Sequence, residues 1–366
     1  MMISLEARSE PSRLMAWASP LLAAVATLVA GFVLFSLLGK NPVDAFFVFF
    51  IEPVATRYGI GELLLKSSPL MLCALGLAIG YRANVWNIGA EGQLTIGAIC
   101  GGGLALWLPQ LNGALLLPLM IAAGAAGGIA WAAIPAWLRT RFNANEILTS
   151  LMLVYIAVLA LSYLVQEPWR DPEGFNFPQS SLFGDNAMLP LLLPGTRLNV
   201  GFLLAVAVIA AGWLFTARTL AGFRMRVAGL APRAASYAGI SAGRTVWIGM
   251  LAGGATAGIA GVGEVAGPIG QLLPSISPGY GFAAIIVAFL GRLHPLGIAL
   301  ASLLMSLLYL GGEAAQIGLE LPSAVTRLFQ GMLLFFLLAA DVFIGYRLRF
   351  RRSPDSAAVA AESLAR

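Results

Sequence analysis

Long apolar runs recur along the chain and are separated by short polar stretches. A helix needs roughly 20 apolar residues to cross a bilayer, because its backbone rises about 1.5 Å per residue. The pattern therefore predicts an all-α polytopic membrane protein with about ten transmembrane segments: residues 15–38, 62–80, 87–108, 114–137, 146–165, 199–217, 245–262, 281–291, 295–311 and 326–346. The eighth run is too short to span. It predicts a broken or re-entrant element joined to the glycine- and proline-rich stretch before it.

Composition supports a membrane protein without any motif. Of the 366 residues, 59% are hydrophobic and 11% are charged, whereas a soluble domain carries about 25% charged residues. We expect one transmembrane domain, residues 15–346, between a cytoplasmic segment 1–14 and a cytoplasmic tail 347–366. The first apolar run is too long for the core of a signal peptide, so we expect it to remain as the first membrane helix.

The distribution of basic residues predicts orientation. If successive loops alternate sides, sixteen of the 22 Lys and Arg residues fall on the side of the N-terminus. Cytoplasmic loops carry such an excess, so both termini are expected in the cytoplasm of a bacterial cell with this chain in its inner membrane. The same rule accounts for the net charge of +5, and no nucleic-acid partner is expected. The longest loop on the other side, residues 166–198, is polar, as a solvated loop should be.

A polar sequence, Asn84 to Ala98, opens the third apolar run. Asn87, Glu91 and Gln93 lie where polar groups are unfavourable unless they face the protein interior or a pathway. The alternative is local, with Asn87 as N-cap and Glu91 in the first helical turn. The residues alone leave both interpretations open.

Two further stretches carry polar candidates. Asn145 and Glu146 precede the fifth run, where capping by Asn145 is the favoured interpretation and a role at a gate is the alternative. The stretch from Gly258 to Gly281 resembles a dinucleotide-binding glycine motif only in its letters, since no strand precedes it. We interpret it as a broken membrane segment on the outer side. Its Glu264 and Gln271 echo Glu91 and Gln93, as repeated halves of a transporter would.

The basic loop 218–244 predicts a short cytoplasmic helix. Pro232 suits the first helical position, alanines follow, and Gly239 suits the end. The arginines in part set the topology, but a short helix between membrane segments is also what docking to a soluble partner requires. The candidate docking residues are Arg224, Arg226, Ala231, Pro232, Arg233, Ala234, Ala235, Tyr237 and Gly239.

Other chemistry finds little support in the sequence. No P-loop motif is present, so ATP that drives transport would be hydrolysed on another polypeptide. Cys73 and Cys100 lie in apolar runs, and the single histidine, His294, lacks further ligands nearby. We therefore expect no metal, no cofactor and no enzymatic site.

The polar motifs together resemble a known family. The run Asn87-Ile88-Gly89-Ala90-Glu91-Gly92-Gln93 is similar to the most specific signature of permeases in nucleoside and simple-sugar ABC importers, within the larger group that also serves ribose and branched-chain amino acids. Three further matches support it: Asn145-Glu146-Ile147 with Leu151-Met152 and Tyr155-Ile156-Ala157, Gly222-Phe223-Arg224 to Gly239-Ile240, and Ser277-Pro278-Gly279-Tyr280-Gly281-Phe282 with the run Ile285 to Leu290. The resemblance covers residues 15–346.

The resemblance implies a mechanism and partners. A periplasmic or lipoprotein binding protein would deliver a nucleoside or simple sugar, two permease subunits would form the pathway, and cytoplasmic ABC ATPases would drive alternating access. Relatives of this length often pair with a second, different permease. The resemblance assigns the pathway to Asn87, Glu91, Gln93, Asn145 and Glu146, and coupling to residues 231–240. A secondary transporter and a branched-chain amino acid permease are the alternatives.

Overall fold

The computed structural model describes residues 2–7 and 13–351, and it is predominantly helical. Its helices are α1 (Arg13–Leu37), α2 (Pro42–Phe46), α3 (Arg57–Tyr81), α4 (Ala90–Trp107), α5 (Gly113–Phe142), α6 (Glu146–Gln166), α7 (Gly201–Arg218), α8 (Leu220–Leu230), α9 (Pro232–Tyr237), α10 (Ala242–Glu264), α11 (Tyr280–Leu290), α12 (Pro295–Leu319) and α13 (Ala324–Gly345). Each of the ten predicted apolar runs coincides with a helix, which confirms the all-α polytopic prediction.

Shorter elements complete the described chain. Two π-helical turns, Phe47–Ile51 and Val265–Ile269, and two 3₁₀ turns, Glu52–Val54 and Asp185–Ala187, extend or connect the helices. By length and composition, six helices can cross a membrane: α3, α5, α6, α7, α10 with its π-turn, and α12. Shorter apolar stretches lie in α1, α11 and α13.

The chain divides into two compact units. One contains the terminal regions Met1–Ala45 and Pro322–Arg366, in which α1 packs on α13 and Phe35 contacts Phe329 with ring centroids 5.5 Å apart. In this unit β1 (Met2–Ala7) pairs antiparallel with β2 (Tyr346–Arg351). The sequence analysis did not predict these strands. The predicted tail beyond residue 351 lies outside the described residues.

The second unit, Phe46–Leu321, is built around α3. Of the most apolar 18-residue stretch of α3, 83% is buried. Helices α7, α10, α11 and α12 pack against α3. By contrast, only 22% of the corresponding 18-residue stretch of α6 is buried, and only 28% of the corresponding stretches of α5 and α7. These peripheral helices expose apolar side chains, as helices in contact with lipid do.

Glycines allow α4, α5 and α10 to cross closely. Gly258 on α10 lies against Gly97 of α4 and Gly124 of α5, and an added Cβ there would overlap the carbonyl of Gly124. Small residues of this kind let backbones approach where the lipid provides no hydrophobic driving force. The crossing fixes the position of α4 around Gly97.

The predicted broken segment is confirmed. After α10 and its π-turn the chain leaves helical geometry, and α11 begins only at Tyr280, preceded by Gly279 with φ +102°. The hydroxyl of Ser277 accepts hydrogen bonds from the N–H groups of Gly279 (3.0 Å) and Tyr280 (2.8 Å). At roughly 1.5 Å per residue, the 11 residues of α11 are too few to span a bilayer.

The connecting segments of the second unit gather at two ends. At one end lie the segments 82–89, 139–145, 219–241 and 291–294, which contact one another through Arg82, Gly229 and Leu293. We call this the basic end. At the opposite end Asn186 donates to the carbonyl of Leu111 and Phe183 donates to that of Gly270. This sorting of segments agrees with the predicted alternation of loops.

Candidate functional site

The segment between α3 and α4 is not helical, and side chains satisfy its backbone. The N–H of Trp86 donates to Glu146 (3.4 Å), that of Ile88 to Ser150 (3.2 Å) and that of Gly89 to Asn87 Oδ1 (2.9 Å). Irregular backbone at membrane depth is tolerated only when its polar groups find partners within the protein. The two polar motifs recognised in the sequence therefore meet here, 60 residues apart in the chain.

Asn87 and Gln93 form a reciprocal amide pair. Asn87 Nδ2 donates to Gln93 Oε1 at 3.0 Å, and Gln93 Nε2 donates to Asn87 Oδ1 at 3.1 Å. Both side chains are buried, and Tyr81 donates to the Asn87 carbonyl at 2.9 Å. Of the two interpretations left open, the one with Asn87 as N-cap was wrong, since α4 begins at Ala90 with Gly89 in the capping position. The side-chain oxygen of Asn87 instead accepts hydrogen bonds from the Gly89 N–H and from Gln93 Nε2, and these bonds hold the extended segment.

Glu91 meets the N-terminus of the half-helix α11. Its carboxylate, in the first turn of α4, accepts a hydrogen bond from the N–H of Gly281 at 2.6 Å and a second from the Ser277 hydroxyl. A Cβ on Gly281 would overlap the backbone of Glu91. The carboxylate thus lies at the positive ends of two helices, where negative charge is favourable.

Arg82 holds the other end of α11. Its Nε and Nη2 donate to the carbonyl of Leu293 at 3.0 and 2.7 Å. Burial lowers the pKa of Arg82 below its usual value, and the nearby Arg226 guanidinium lowers it further by a smaller amount. Between the two ends, Phe289 of α11 stacks on Tyr81 with ring centroids 5.4 Å apart.

Asn145 and Glu146 lie at the basic end. Asn145 caps α6 by accepting from the N–H groups of Ile147 (2.9 Å) and Leu148 (3.3 Å), which confirms the capping interpretation. Glu146 forms an ion pair with Arg139 of α5 in addition to its contact with Trp86. Its carboxylate therefore joins α5, α6 and the segment before α4.

The predicted short helix is present as α9, with Pro232 at its start and Gly239, at φ +75°, beyond its end. Its exposed residues include Arg233, Ala234 and Tyr237, whose side chain is 95% exposed. Ala235 is 2% exposed, so the prediction that it faces a partner was wrong. A six-residue helix has one inward face, and Ala235 lies on it. Of the remaining candidates, Arg224, Arg226, Ala231 and Gly239 are exposed.

A cavity of about 400 Å³ separates α9 from the segment before α4. Its lining includes Asn84, Arg139, Ala235, Ser236 and Thr245. The inward face of α9 thus lies across this cavity from the segment that carries Asn87. An inward displacement of α9 would have space to occur.

Charged side chains that the sequence analysis missed lie toward the opposite end. Glu62 of α3 accepts from Arg197 Nε and Nη2 at 2.9 and 2.6 Å, and these hydrogen bonds raise the pKa of Arg197 above its usual value. Lys66, also on α3, pairs with Glu313 of α12 at 2.7 Å. Isolated charges within apolar runs were the available signal, because such residues are retained for function or pairing.

Glu264 lies near this charged group. Glu264 is buried, with 7% of the residue exposed, and no hydrogen bond to its carboxylate is found within residues 2–7 and 13–351. It interacts electrostatically with Lys66, Arg197, Glu62 and Glu91. Gln271 is partly exposed in the loop that leads to α11. In the described part of the chain, no group of three His, Cys, Asp or Glu residues could hold a metal ion.

The Glu62–Arg197 pair yields a stability prediction. Arg197→Met should lower the free energy of unfolding by roughly 2 kcal/mol, because it leaves a buried carboxylate unpaired while the arginine itself is half exposed. Thermal unfolding of the purified chain in detergent measures this. Arg170→Met, in the same loop, is the matched control and should change little. Adding Glu62→Leu to Arg197→Met should recover stability. If the double variant is no more stable than the single one, the pair does not explain the loss.

The fold and site define a class of protein: a polytopic helical bundle with a half-helix and a short exposed helix at its basic end, the architecture of a transporter subunit. Residues 59–338 match the family described as the branched-chain amino acid transport system permease component. The chain belongs to this family and is the membrane-spanning permease subunit of an ABC transporter.

Several relatives are similar over nearly their whole length. The chain is 36% identical to the glucose ABC transporter permease protein TsgB13 of Haloferax volcanii, over 100% of this chain and 99% of the relative. It is 31% identical to the nucleoside ABC transporter permease protein NupB of Lactococcus lactis, over 87% and 89%. It is 29% identical to the guanosine ABC transporter permease protein NupP of Bacillus subtilis, over 90% and 94%.

One solved structure, an ABC transporter of the metal-chelate type in an inward-facing conformation, aligns with a TM-score of 0.47 and 14% identity over 90% of this chain and 99% of that one.

Proposed function

We propose that this permease imports a nucleoside or a simple sugar. The observation that carries the proposal is its full-length similarity to permeases named for glucose and for nucleosides. These solutes share hydroxyl groups on a ring, which polar side chains can bind without a fixed counter-charge. A branched-chain amino acid remains the second candidate, because the family description names it.

The pathway in this proposal uses polar groups that the fold leaves accessible or unpaired. Glu264 and Gln271, near α11, are its first candidates. Glu91 lies at the N-terminus of α11, where a movement of that half-helix would expose it. The other candidates, Asn87, Gln93, Asn145 and Glu146, have partners within the described chain and would shape the pathway by holding the basic end together.

The same comparison supports a proposal for the partners. We propose that α9 and its flanking arginines dock on a cytoplasmic ABC ATPase, so that the basic end faces the cytoplasm of the cell and this chain lies in the inner membrane with both termini inside. A substrate-binding protein would deliver solute at the opposite end. A second, different permease would complete the pathway, since three organisms each have two similar permeases: TsgB13 and TsgC13, NupB and NupC, and NupP and NupQ.

Uptake by a deletion strain tests the proposal. Loss of the gene should abolish saturable uptake of labelled nucleosides or of glucose, and the chain expressed from a plasmid should restore it. Labelled leucine is the matched control. If only leucine uptake falls, the substrate is wrong while the permease class stands. Uptake that persists without any ATPase and follows an ion gradient would contradict the ATP-driven mechanism.

A further inference from the structure

The half-helix α11 is held at both ends by one short segment of chain. Residues 82–91 run alongside it, with Arg82 on the Leu293 carbonyl just past its C-terminus and Glu91 on the Gly281 N–H at its N-terminus. The aromatic contact between Tyr81 and Phe289 lies along the same side. Charged groups make both terminal contacts, and hydrogen bonds to charged groups are about twice as strong as neutral ones.

The turn after α11 presents its carbonyl to Arg82 in an unusual conformation. Arg292 and Leu293 both have φ +56°, a left-handed geometry that non-glycine residues adopt at some energetic cost. The Leu293 N–H donates back to Ala288 at 2.8 Å, which closes the end of the helix. The turn therefore moves with α11 as one body, and its carbonyl is aimed at the guanidinium.

The segment 82–91 also contacts α8, one of the two short helices at the basic end. Gly229 of α8 lies against Arg82, and a Cβ added there would overlap the Arg82 carbonyl and come within 3.2 Å of Ala83 Cα. Arg226, one turn earlier on α8, is close enough to Arg82 to act on its pKa. Because backbone meets backbone at this point, a displacement of α8 is passed directly to residues 82 and 83.

The far end of α11 connects to the opposite end of the bundle. The loop from Gly270 to Gly279 precedes it, and in that loop Leu272 donates to the Ser180 hydroxyl at 2.9 Å. Ser180 belongs to the long loop between α6 and α7. A shift of the α11 N-terminus therefore pulls on segments that lie at the opposite end from α8.

Resting on the proposed function, we infer that α11 transmits the movement of the ATPase-docking helices to the opposite end, and that Arg82 and Glu91 are the positioning residues that tie it to them. Arg82 makes the C-terminus of α11 follow α8. Glu91 makes its N-terminus follow the end of the same segment 82–91, so that both ends of α11 move with it. The half-helix is short because it is a connecting element that must shift as a unit.

The prediction concerns coupling rather than assembly. Arg82→Gln and Glu91→Ala should each reduce the solute taken up per ATP hydrolysed by about tenfold, the lower range for losing a buried charged hydrogen bond. ATP hydrolysis stimulated by the binding protein should stay within about twofold of the parent, because no contact between α9 and the ATPase changes. Both rates are measured on the whole transporter in proteoliposomes.

Matched controls separate coupling from general damage. Thr95→Val removes a buried hydrogen bond one turn along α4, from its hydroxyl to the Glu91 carbonyl, without touching α11. Arg141→Gln removes an exposed arginine at the basic end. Neither should change uptake per ATP. Arg82→Lys keeps the charge but offers one donor nitrogen where Arg82 uses two, so it should be intermediate and provides a variant that folds even where Arg82→Gln does not.

A distance measurement tests the movement itself. In a Cys73→Ala, Cys100→Ala background, spin labels at Ser275→Cys and Leu159→Cys report the loop before α11 relative to the peripheral helix α6. Labels at Leu230→Cys and Leu159→Cys report α8. With ATP and vanadate, both distances should change in the parent, and only the α8 distance should change after Glu91→Ala.

The outcomes distinguish this inference from the proposed function. A parent transporter that shows no ATP-driven uptake contradicts the proposed function. A working parent whose Arg82→Gln and Glu91→Ala variants retain normal uptake per ATP, or whose Ser275 label still moves, contradicts the role of α11.

Discussion

Tyr237→Ala should weaken retention of the ATPase by roughly 30-fold, the equivalent of about 2 kcal/mol, while the permease itself remains folded. Tyr237 is 95% exposed and is the last residue of α9, where it follows Ala234, Ala235 and Ser236. A large exposed aromatic side chain is the kind of residue on which interface energy concentrates. Co-purification of the ATPase with the tagged permease, titrated by concentration, measures the change.

The control for this prediction is another exposed tyrosine. Tyr163→Ala, on the peripheral helix α6, removes a side chain that is 64% exposed and should leave ATPase retention unchanged. By contrast, Ala235→Trp should lower the stability of the permease itself, because that side chain is buried within the chain. Full retention of the ATPase after Tyr237→Ala would move the docking surface elsewhere on the basic end.

Gly258→Val should lower the free energy of unfolding by about 3 kcal/mol, at the upper end for overpacking. The new Cβ would overlap the carbonyl of Gly124 and come within 3.3 Å of Ala125 Cα, both backbone atoms of α5, so no rotamer change could relieve it. The helices would have to separate. Thermal unfolding in detergent and the amount of chain recovered from membranes measure the effect.

The same helix provides the comparison. Gly263, five residues further along α10, has no atom within 4 Å of an added Cβ. Gly263→Val should therefore leave unfolding close to that of the parent, apart from the small propensity difference between these residues. Equal losses from the two substitutions would show that helix propensity, and not the crossing of α4, α5 and α10, is responsible.

The membrane helices could be predicted because each is a continuous apolar run, but their ends depended on side-chain caps. Helix α3 begins at residue 57 and not 62 because Thr56 caps it, and α10 begins at 242 because Ser241 does. The short helix α9 was predicted correctly, because Pro232 marks its start and Gly239 its end in the local sequence. The inward orientation of Ala235 could not be predicted, because the six residues of α9 show no periodic pattern of hydrophobic positions that would mark its buried face.

The contacts of the site were beyond local patterns. Glu91 meets Gly281 across 190 residues, and Arg82 meets Leu293 across 211. A polar residue in an apolar run predicts that some partner exists, but nothing in the sequence says which one. The Asn87 to Gln93 motif was recognisable, yet its role as support for an extended segment depends on Glu146 and Ser150, which the sequence places in another helix.

The central position of α3 has a consequence for how the chain is made. Glu62 finds its partner 135 residues later in the chain and Lys66 finds its partner 247 residues later. During synthesis α3 therefore enters the membrane before Arg197 and Glu313 have been made, at a stage when Glu62 and Lys66, one helical turn apart, can pair with each other. We expect this local pair to be exchanged for the contacts with Arg197 and Glu313 as the later segments are inserted, so that a chain stalled before residue 197 keeps the Glu62–Lys66 pair.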